Sequence, residues 1–164
     1  MTQSTPLRPT LNDLPEATRR SAIALLQARL TDALDLEAQT KQAHWNVRGR
    51  TFSELHQLFD WVHGEVEEHV DTLAERITAL GGVADGRVQT TASCSGLSVY
   101  PLEVPRGDAH VELIAGALAH FGASIRSSID AATRLGDMGT ADLFTEISRS
   151  LDKQLWLVEA QRAD

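Results

Sequence analysis

The chain is poor in cysteine, in lysine and in long apolar runs. Its one cysteine, Cys94, excludes a disulfide within the chain and is typical of a reducing compartment. Only Lys41 and Lys153 among the 15 basic residues are lysines, and 23 acidic residues bring the formal net charge to -8, the reverse of a general nucleic-acid-binding domain. Because no apolar run reaches the roughly 18 residues of a membrane span and the first residues lack the apolar core of a signal peptide, we expect a cytoplasmic protein with no membrane segment.

Glycine and proline residues divide the chain into four stretches with helical periodicity. In each stretch apolar side chains recur three or four positions apart, as on one face of a helix. The pattern predicts helices over residues 15–47, 52–80, 108–135 and 140–162. Start signals are Asp13, Thr51, Asp108 and Thr140, and stop signals are Gly49, Gly81 and Gly136. The apolar stripe of the second predicted helix comprises Leu55, Leu58, Val62, Val66, Leu73, Ile77 and Leu80.

The lengths of the connections limit the topology. About four residues join the first two helices, and the same holds for the last two, so each pair is expected to form an antiparallel hairpin. The connection over residues 82–107 must cross the bundle, with a short helix near Thr90–Ser95. The prediction is an all-α, ferritin-like four-helix bundle with one long crossover connection carrying a short helix. Residues 15–164 would form this domain, residues 1–14 a flexible tail, and Cys94 a buried small apolar residue in the crossover.

Polar side chains form a second line along the second helix, away from its apolar stripe. At about 100° of rotation per residue, these side chains lie within a sector of roughly 120° around the helix axis. They are His56, Asp60, His63, Glu67, Asp71 and Glu75. A solvated outer face would explain the acidic members. The histidines and the i,i+4 pairs His56–Asp60 and Asp71–Glu75 instead indicate a metal site, because imidazole and carboxylate are ligands of non-haem iron and manganese.

One helix cannot close such a site alone. His56 and Asp71 lie about 22 Å apart along the axis at ~1.5 Å per residue, which is too far for one metal ion. The residue numbers of His56 and Glu75 add up to 131, and so do those of Asp60 and Asp71. An antiparallel copy of the helix, related by a two-fold axis near residues 65–66, would therefore bring His56 to Glu75 and Asp60 to Asp71. The spacing predicts two identical sites between two copies of the chain.

Residues near the predicted hairpin and the axis would support this site. His44 lies just before the hairpin, so it returns beside the start of the second helix and would complete the His56 half of the site. Lys41, one turn earlier, would pair with a site carboxylate. Trp45 would either quench a stray oxidising equivalent or pack in the interface, and the small Gly64 would let the two helices approach closely.

Three stretches of this region resemble the signature of the Dps family, the mini-ferritins named for DNA protection in starved cells. They are TKQAHWNVRG from Thr40 to Gly49, FSELHQLFD from Phe52 to Asp60, and HVDTLAERITALGG from His69 to Gly82. The likeness continues in Leu135-Gly-Asp, in Thr140-Ala-Asp and in SLDKQLW from Ser150 to Trp156. It therefore covers nearly the whole chain.

The resemblance implies a hollow dodecamer built from two-fold dimers of four-helix subunits, with ferroxidase centres at the two-fold interfaces. It implies oxidation of Fe(II), with hydrogen peroxide preferred to dioxygen, and storage of Fe(III) mineral, which would protect the cell and its DNA from oxidative damage. The family's iron ligands fall on His44, His56 and Asp60 of one subunit and on Asp71 and Glu75 of its neighbour.

The resemblance also places a three-fold pore for iron entry at Asp137, Asp142 and Glu146. An ordinary interaction of acids with a helix amino terminus is the competing explanation. It accounts well for Asp142, less clearly for Asp137 and poorly for Glu146, which lies beyond the first turn. Three subunits would bring nine of these carboxylates together and concentrate divalent cations.

Binding to DNA is the point on which this sequence departs from many members of the family. DNA-binding members often carry a lysine-rich tail, whereas Arg8 is the only cation among the first fourteen residues here. Binding is therefore expected to be weak at physiological salt, and association with the nucleoid is left open. Two alternatives remain: a structural nucleoid protein that condenses DNA with iron oxidation secondary, and a cage that keeps the ligands but binds another divalent metal such as zinc or manganese.

Overall fold

The computed structural model describes residues 6–162, and every regular element in that range is a helix. The five helices are α1 (Glu16–Asn46), α2 (Phe52–Ala79), α3 (Val88–Cys94), α4 (Gly107–Leu135) and α5 (Met138–Glu159). The hairpin α1–α2 packs against the hairpin α4–α5 through α1 on α4 and α2 on α5, and the short α3 lies on α1. The predicted bundle, its long crossover and the short helix within that crossover are confirmed.

The core is built from one apolar stripe on each long helix. Phe59, Phe121 and Phe144 are its largest members, and all three are fully buried. The stripe predicted on α2 is correct except at one position, because Leu58 is half-buried and Phe59 is buried in its place. Phe59 lies four residues after Leu55 and three before Val62, so it continues the helical stripe where Leu58 departs from it.

The helix ends follow the glycines more closely than the predicted start signals. Gly81 and Gly136 have φ angles of 86° and 78°, a left-handed conformation that favours glycine and ends a helix. At the start of α5 the capping residue is Asp137 rather than Thr140, because the Asp137 carboxylate accepts a hydrogen bond from the Thr140 amide at 3.0 Å. No side-chain cap bond occurs at the starts of α1, α2 and α4, where Asp13, Thr51 and Asp108 had been the signals.

The segment before α1 is attached to the bundle over much of its length. The Arg8 amide donates to the Gly81 carbonyl at 2.7 Å. The Arg19 guanidinium donates to the Leu80 carbonyl at 3.0 Å and to the Leu14 carbonyl at 3.2 Å, and Leu14 packs on the core. A flexible tail over residues 1–14 therefore does not describe the chain from Arg8 onward, and residues 1–5 lie outside the described residues.

The crossover is anchored at two points. Near α3 the Ser95 hydroxyl donates to Asp35 at 2.5 Å and the Gly96 amide donates to Asp32 at 2.8 Å, both on α1. Further along, the Tyr100 hydroxyl lies 2.5 Å from Nδ1 of the buried His110 on α4.

Cys94, the last residue of α3, is exposed, so the prediction of a buried cysteine is wrong. A helix of seven residues that buries none of its side chains gives a cysteine no core to enter. Within residues 6–162, no helix combines the length and the apolar character that crossing a membrane requires.

Candidate metal centre

The candidate centre begins where the α1–α2 hairpin brings two histidines together. His44 lies in the last turn of α1 and His56 in the second turn of α2. Their rings are stacked, with centroids 3.7 Å apart and an interplanar angle of 23°. The short connection between the helices forces this meeting, because both residues lie within about two turns of the same hairpin.

The two imidazoles are oriented by a reciprocal pair of hydrogen bonds. His44 Nδ1 lies 2.8 Å from the His56 carbonyl, and His56 Nδ1 lies 2.8 Å from the His44 carbonyl. A carbonyl oxygen only accepts, so each Nδ1 carries a proton, and Nε2 is the ring nitrogen left to bind a metal ion. This is the tautomer of a metal-ligating histidine whose other ring nitrogen is held by a backbone carbonyl.

Asp60 adds a carboxylate one turn after His56. Its Oδ1 accepts a 2.5 Å hydrogen bond from Lys41 Nζ and lies 3.8 Å from His44 Nδ1. The hydrogen bond from Lys41 is the main reason that the pKa of Asp60 lies below its usual value, and the charges of Lys41, His44 and His63 act in the same direction. The carboxylate is therefore ionised at neutral pH and half exposed, and a metal ion would compete with Lys41 for it.

Two aromatic residues flank this cluster without covering it. The Phe52 ring lies 5.0 Å from the His56 ring. Trp45, directly after His44, is 66% exposed. Its own chain therefore leaves most of Trp45 uncovered, and both predicted roles of this residue, interface packing and quenching of an oxidising equivalent, stay predictions.

The structure does not bring Asp71 and Glu75 to the histidines of the same chain. Both are exposed on α2, and Asp71 lies 11 residues beyond Asp60, about 16 Å along the helix at ~1.5 Å per residue. Among residues 6–162, no three His, Cys, Asp or Glu side chains are grouped so that they could hold a metal ion. One chain therefore carries His44, His56 and Asp60 near the hairpin and two more carboxylates further along α2, and neither set by itself is arranged to hold a metal ion.

The predicted pore acids differ in their surroundings. Asp142 and Glu146 are exposed on one face of α5. Asp137 is only 1% exposed, and its carboxylate accepts hydrogen bonds from Arg76 Nη2 at 2.7 Å and from the Thr140 hydroxyl at 2.5 Å. In this subunit Asp137 is therefore a buried helix cap and ion-pair partner, so its placement departs from the expectation that all three acids line an opening.

Arg76 is the main residue near the centre whose role the sequence did not reveal. It follows Glu75 on α2, and its guanidinium also donates from Nε to the Thr140 hydroxyl at 3.0 Å. It therefore joins the end of α2, which carries two candidate ligands, to the first turn of α5. Its position in the last turn of a helix is a weak signal for such a contact, because cations are favoured at every helix carboxyl terminus.

Comparisons with known proteins agree with this architecture. A family model described as a ferritin-like domain matches residues 23–164. The DNA protection during starvation protein of Agrobacterium fabrum is 39% identical over 151 residues, which cover 92% of this chain and 93% of that protein.

Two solved structures extend the agreement. DpsC from Streptomyces coelicolor is 30% identical, with a TM-score of 0.93 over 100% of this chain and 96% of its own. Dps from Microbacterium arborescens in the high iron form is 32% identical, with a TM-score of 0.84 over 92% of this chain and 97% of its own.

These matches cover the bundle, the crossover and the helices that carry the candidate ligands. The family model spans most of the chain, and a relative well above 30% identity is matched over nearly its whole length. The sequence identity to these relatives and the shared fold together assign the chain to one family. The chain belongs to the Dps family of ferritin-like proteins.

Proposed function

We propose that this protein oxidises Fe(II) at sites shared between two subunits and stores the Fe(III) product as a mineral inside a dodecamer built from two-fold dimers. The observation that carries the proposal is the pair of imidazoles at His44 and His56, whose Nδ1 atoms are both tied to carbonyls so that both Nε2 atoms are free. Imidazole nitrogen together with carboxylate oxygen suits iron. The Microbacterium arborescens relative, described in a high iron form, supports the same substrate.

The glycine in the middle of α2 supports the shared site. An added Cβ at Gly64 would meet nothing within 4 Å in its own chain. Glycine in a helix interior costs roughly 1 kcal/mol relative to alanine, and nothing within the chain requires it at this position. A close approach by a second α2 would give Gly64 a reason, and the antiparallel pairing would then bring Asp71 and Glu75 to the histidines of the other copy.

The ligands have separate tasks in this proposal. His44 and His56 supply neutral donors, while Asp60, Asp71 and Glu75 balance the charge of the iron and can bridge or release it. When two Fe(II) ions each give one electron to hydrogen peroxide, the O–O bond breaks and two protons are taken up to form water. Consuming iron and peroxide together suppresses hydroxyl-radical chemistry and would protect DNA in the cytoplasm.

Anaerobic loading with Fe(II), followed by stoichiometric hydrogen peroxide, tests the activity. We expect Fe(III) absorbance to appear much faster than in a protein-free control, with the product retained by the protein on gel filtration. Oxidation no faster than in the control would contradict the proposal. Repeating the titration with Zn(II) or Mn(II) as competitor measures whether another divalent metal occupies the ligands instead.

Iron entry is predicted to depend on the exposed acids of α5. Replacing Asp142 with Asn and Glu146 with Gln removes two charges per subunit, and six around a three-fold opening. We expect slower iron uptake, with the largest effect at low ionic strength, because the focused negative field that attracts Fe(II) is screened by salt. Stopped-flow uptake rates across a salt series measure this effect. Rates unchanged at every salt concentration would leave these acids without a role in entry.

The charges on the surface argue against DNA condensation as the main function of this protein. Several exposed arginines are engaged by acids, as in the ion pairs of Arg87 with Asp85 and of Arg126 with Asp152. At about 150 mM salt we expect no retardation of linear duplex DNA by micromolar protein in a gel-shift assay. Retardation that persists at that salt concentration would instead favour the DNA-condensing alternative.

A further inference from the structure

Three arginines gather at the end of the bundle where the α1–α2 hairpin meets the start of α4. Arg48, Arg50 and Arg106 line one open groove of about 740 Å³ there. They are three of only 15 basic residues in a chain whose formal net charge is -8. A concentration of cations in one groove of an acidic protein creates a local field opposite in sign to that of the chain as a whole.

Two of these guanidinium groups have no partner among the described residues. Arg48 and Arg50 are exposed, and no acid or carbonyl within residues 6–162 accepts a hydrogen bond from either side chain. Arg106 donates to Asp108, the one acid among the described residues that line the groove, at 3.1 and 2.6 Å. That ion pair is largely exposed and therefore weak, so an incoming anion can compete for Arg106. The groove carries an excess of positive charge.

The packing of α4 on the hairpin fixes this arrangement. A Cβ added to Gly107 would lie 3.0 Å from Leu55 Cδ1 and 3.5 Å from the Arg48 carbonyl oxygen. The glycine therefore lets the start of α4 lie directly against the hairpin, which brings the segment of Arg106 to that of Arg48. The Thr51 hydroxyl lies 3.5 Å from the same added Cβ, and it supplies a donor that no described residue uses.

Guanidinium groups in one groove suit a phosphate group. The planar guanidinium donates two parallel hydrogen bonds to phosphate oxygens, and a phosphate monoester carries close to two negative charges at neutral pH. Clusters of arginines are a recurring means of recognising phosphate. We propose that Arg48, Arg50 and Arg106 bind the phosphate group of a small ligand, either inorganic phosphate or a phosphomonoester. Thr51 donates a further hydrogen bond to the same group.

The charge of the rest of the chain restricts the ligand to a small one. At physiological ionic strength the Debye length is about 8 Å, so an anion inside the groove is attracted mainly by the arginines that line it. A DNA duplex is an extended polyanion that would also meet the acidic surface around the groove. The volume of the groove lies in the range typical of small-molecule sites. All of these residues belong to one chain, so the inference is independent of the proposed ferroxidase site.

Isothermal titration calorimetry of the assembled, metal-free protein with sodium phosphate at low ionic strength tests the site. Titration with sodium chloride at matched ionic strength measures the response that is not specific for phosphate. We expect saturable binding of about one phosphate per chain, and we expect Arg48→Gln with Arg50→Gln to lower the affinity about tenfold. Arg134→Gln is the matched control and should change nothing, because Arg134 is an exposed arginine without a described partner at the other end of α4.

Adenosine monophosphate as a second probe distinguishes the two sources of the phosphate group. Binding at least as tight as that of inorganic phosphate assigns the site to a phosphomonoester, because the groove then also holds the organic part. Weaker binding assigns it to the free ion. Either result supports the site when the Arg48 and Arg50 substitutions lower the affinity for both probes.

Three results would overturn the inference. They are the absence of saturable phosphate binding by the unaltered protein, an affinity that the Arg48 and Arg50 substitutions leave unchanged, and an equal loss in the Arg134 variant, which would show a response to total charge only. Circular dichroism and gel filtration establish that each variant is folded and assembled. Arg50→Gln alone, with a smaller expected loss, serves if the double variant does not assemble.

Discussion

Replacing His56 and Asp60 with alanine is expected to abolish rapid oxidation of Fe(II) by hydrogen peroxide while leaving the helix content unchanged. The substitutions remove two of the five proposed ligands, one imidazole and the carboxylate that Lys41 now holds, so His44 is the last donor on its side of the proposed site. Neither residue belongs to the apolar core. Stopped-flow absorbance measures the rate, and far-ultraviolet circular dichroism measures the helix content.

The proposed sharing of the site between two subunits allows a sharper version of this experiment. A variant lacking His44, His56 and Asp60 keeps Asp71 and Glu75, and a variant lacking those two acids keeps the other half. Mixing the two variants under conditions of subunit exchange creates dimers in which one of the two sites is complete. We expect part of the activity to return, up to about half of that of an unaltered dimer when every dimer is mixed.

Two controls make this result decisive. Glu54→Ala with Gln57→Ala changes two exposed positions of the same part of α2 and should preserve the rate. Native mass spectrometry establishes that mixed dimers have formed. No recovery of activity in confirmed mixed dimers would count against the inter-subunit site, and full activity of the His56/Asp60 variant would count against the ligands themselves.

Replacing Asp137 with alanine is expected to lower the free energy of unfolding by about 3 kcal/mol, the low end of the effect of breaking a buried ion pair. Asp137 is 1% exposed, and its loss leaves Arg76 without its carboxylate partner. The substitution also removes the side-chain acceptor that caps α5. Arg76 retains some exposure and its bond to Thr140, which limits the loss.

Denaturant unfolding at a fixed protein concentration measures this effect, because assembly makes apparent stability depend on concentration. Asp142→Ala is the matched control: an exposed acid in the second turn of the same helix, whose removal should change stability by less than about 0.5 kcal/mol. Equal losses for the two variants would show that the network around Arg76 contributes little. Together they separate the acid that stabilises the fold from the acid proposed to attract iron.

Local patterns in the sequence predicted the helices closely. The second helix was expected over residues 52–80 and extends over Phe52–Ala79, because its apolar spacing and its terminal glycine act within a few residues of one another. The meeting of His44 and His56 followed from the same local reasoning, since a short hairpin brings the residues on its two sides together. The resemblance of these stretches to the Dps family is confirmed by the comparisons.

Contacts between distant helices were decided only by the tertiary structure. Asp137 and Arg76 are 61 residues apart, and no spacing rule in the sequence indicates that the end of α2 meets the start of α5. Because of this contact Asp137, an acid expected at a pore, is a buried helix cap in the subunit. The attachment of Arg8 to Gly81 has the same origin. Thus the sequence alone determined the helices, the bundle and the family, because periodicity and turns are local. The tertiary structure decided which polar groups are buried and paired, because burial and pairing depend on the packing of helices far apart in the chain, as for Arg76 and Asp137.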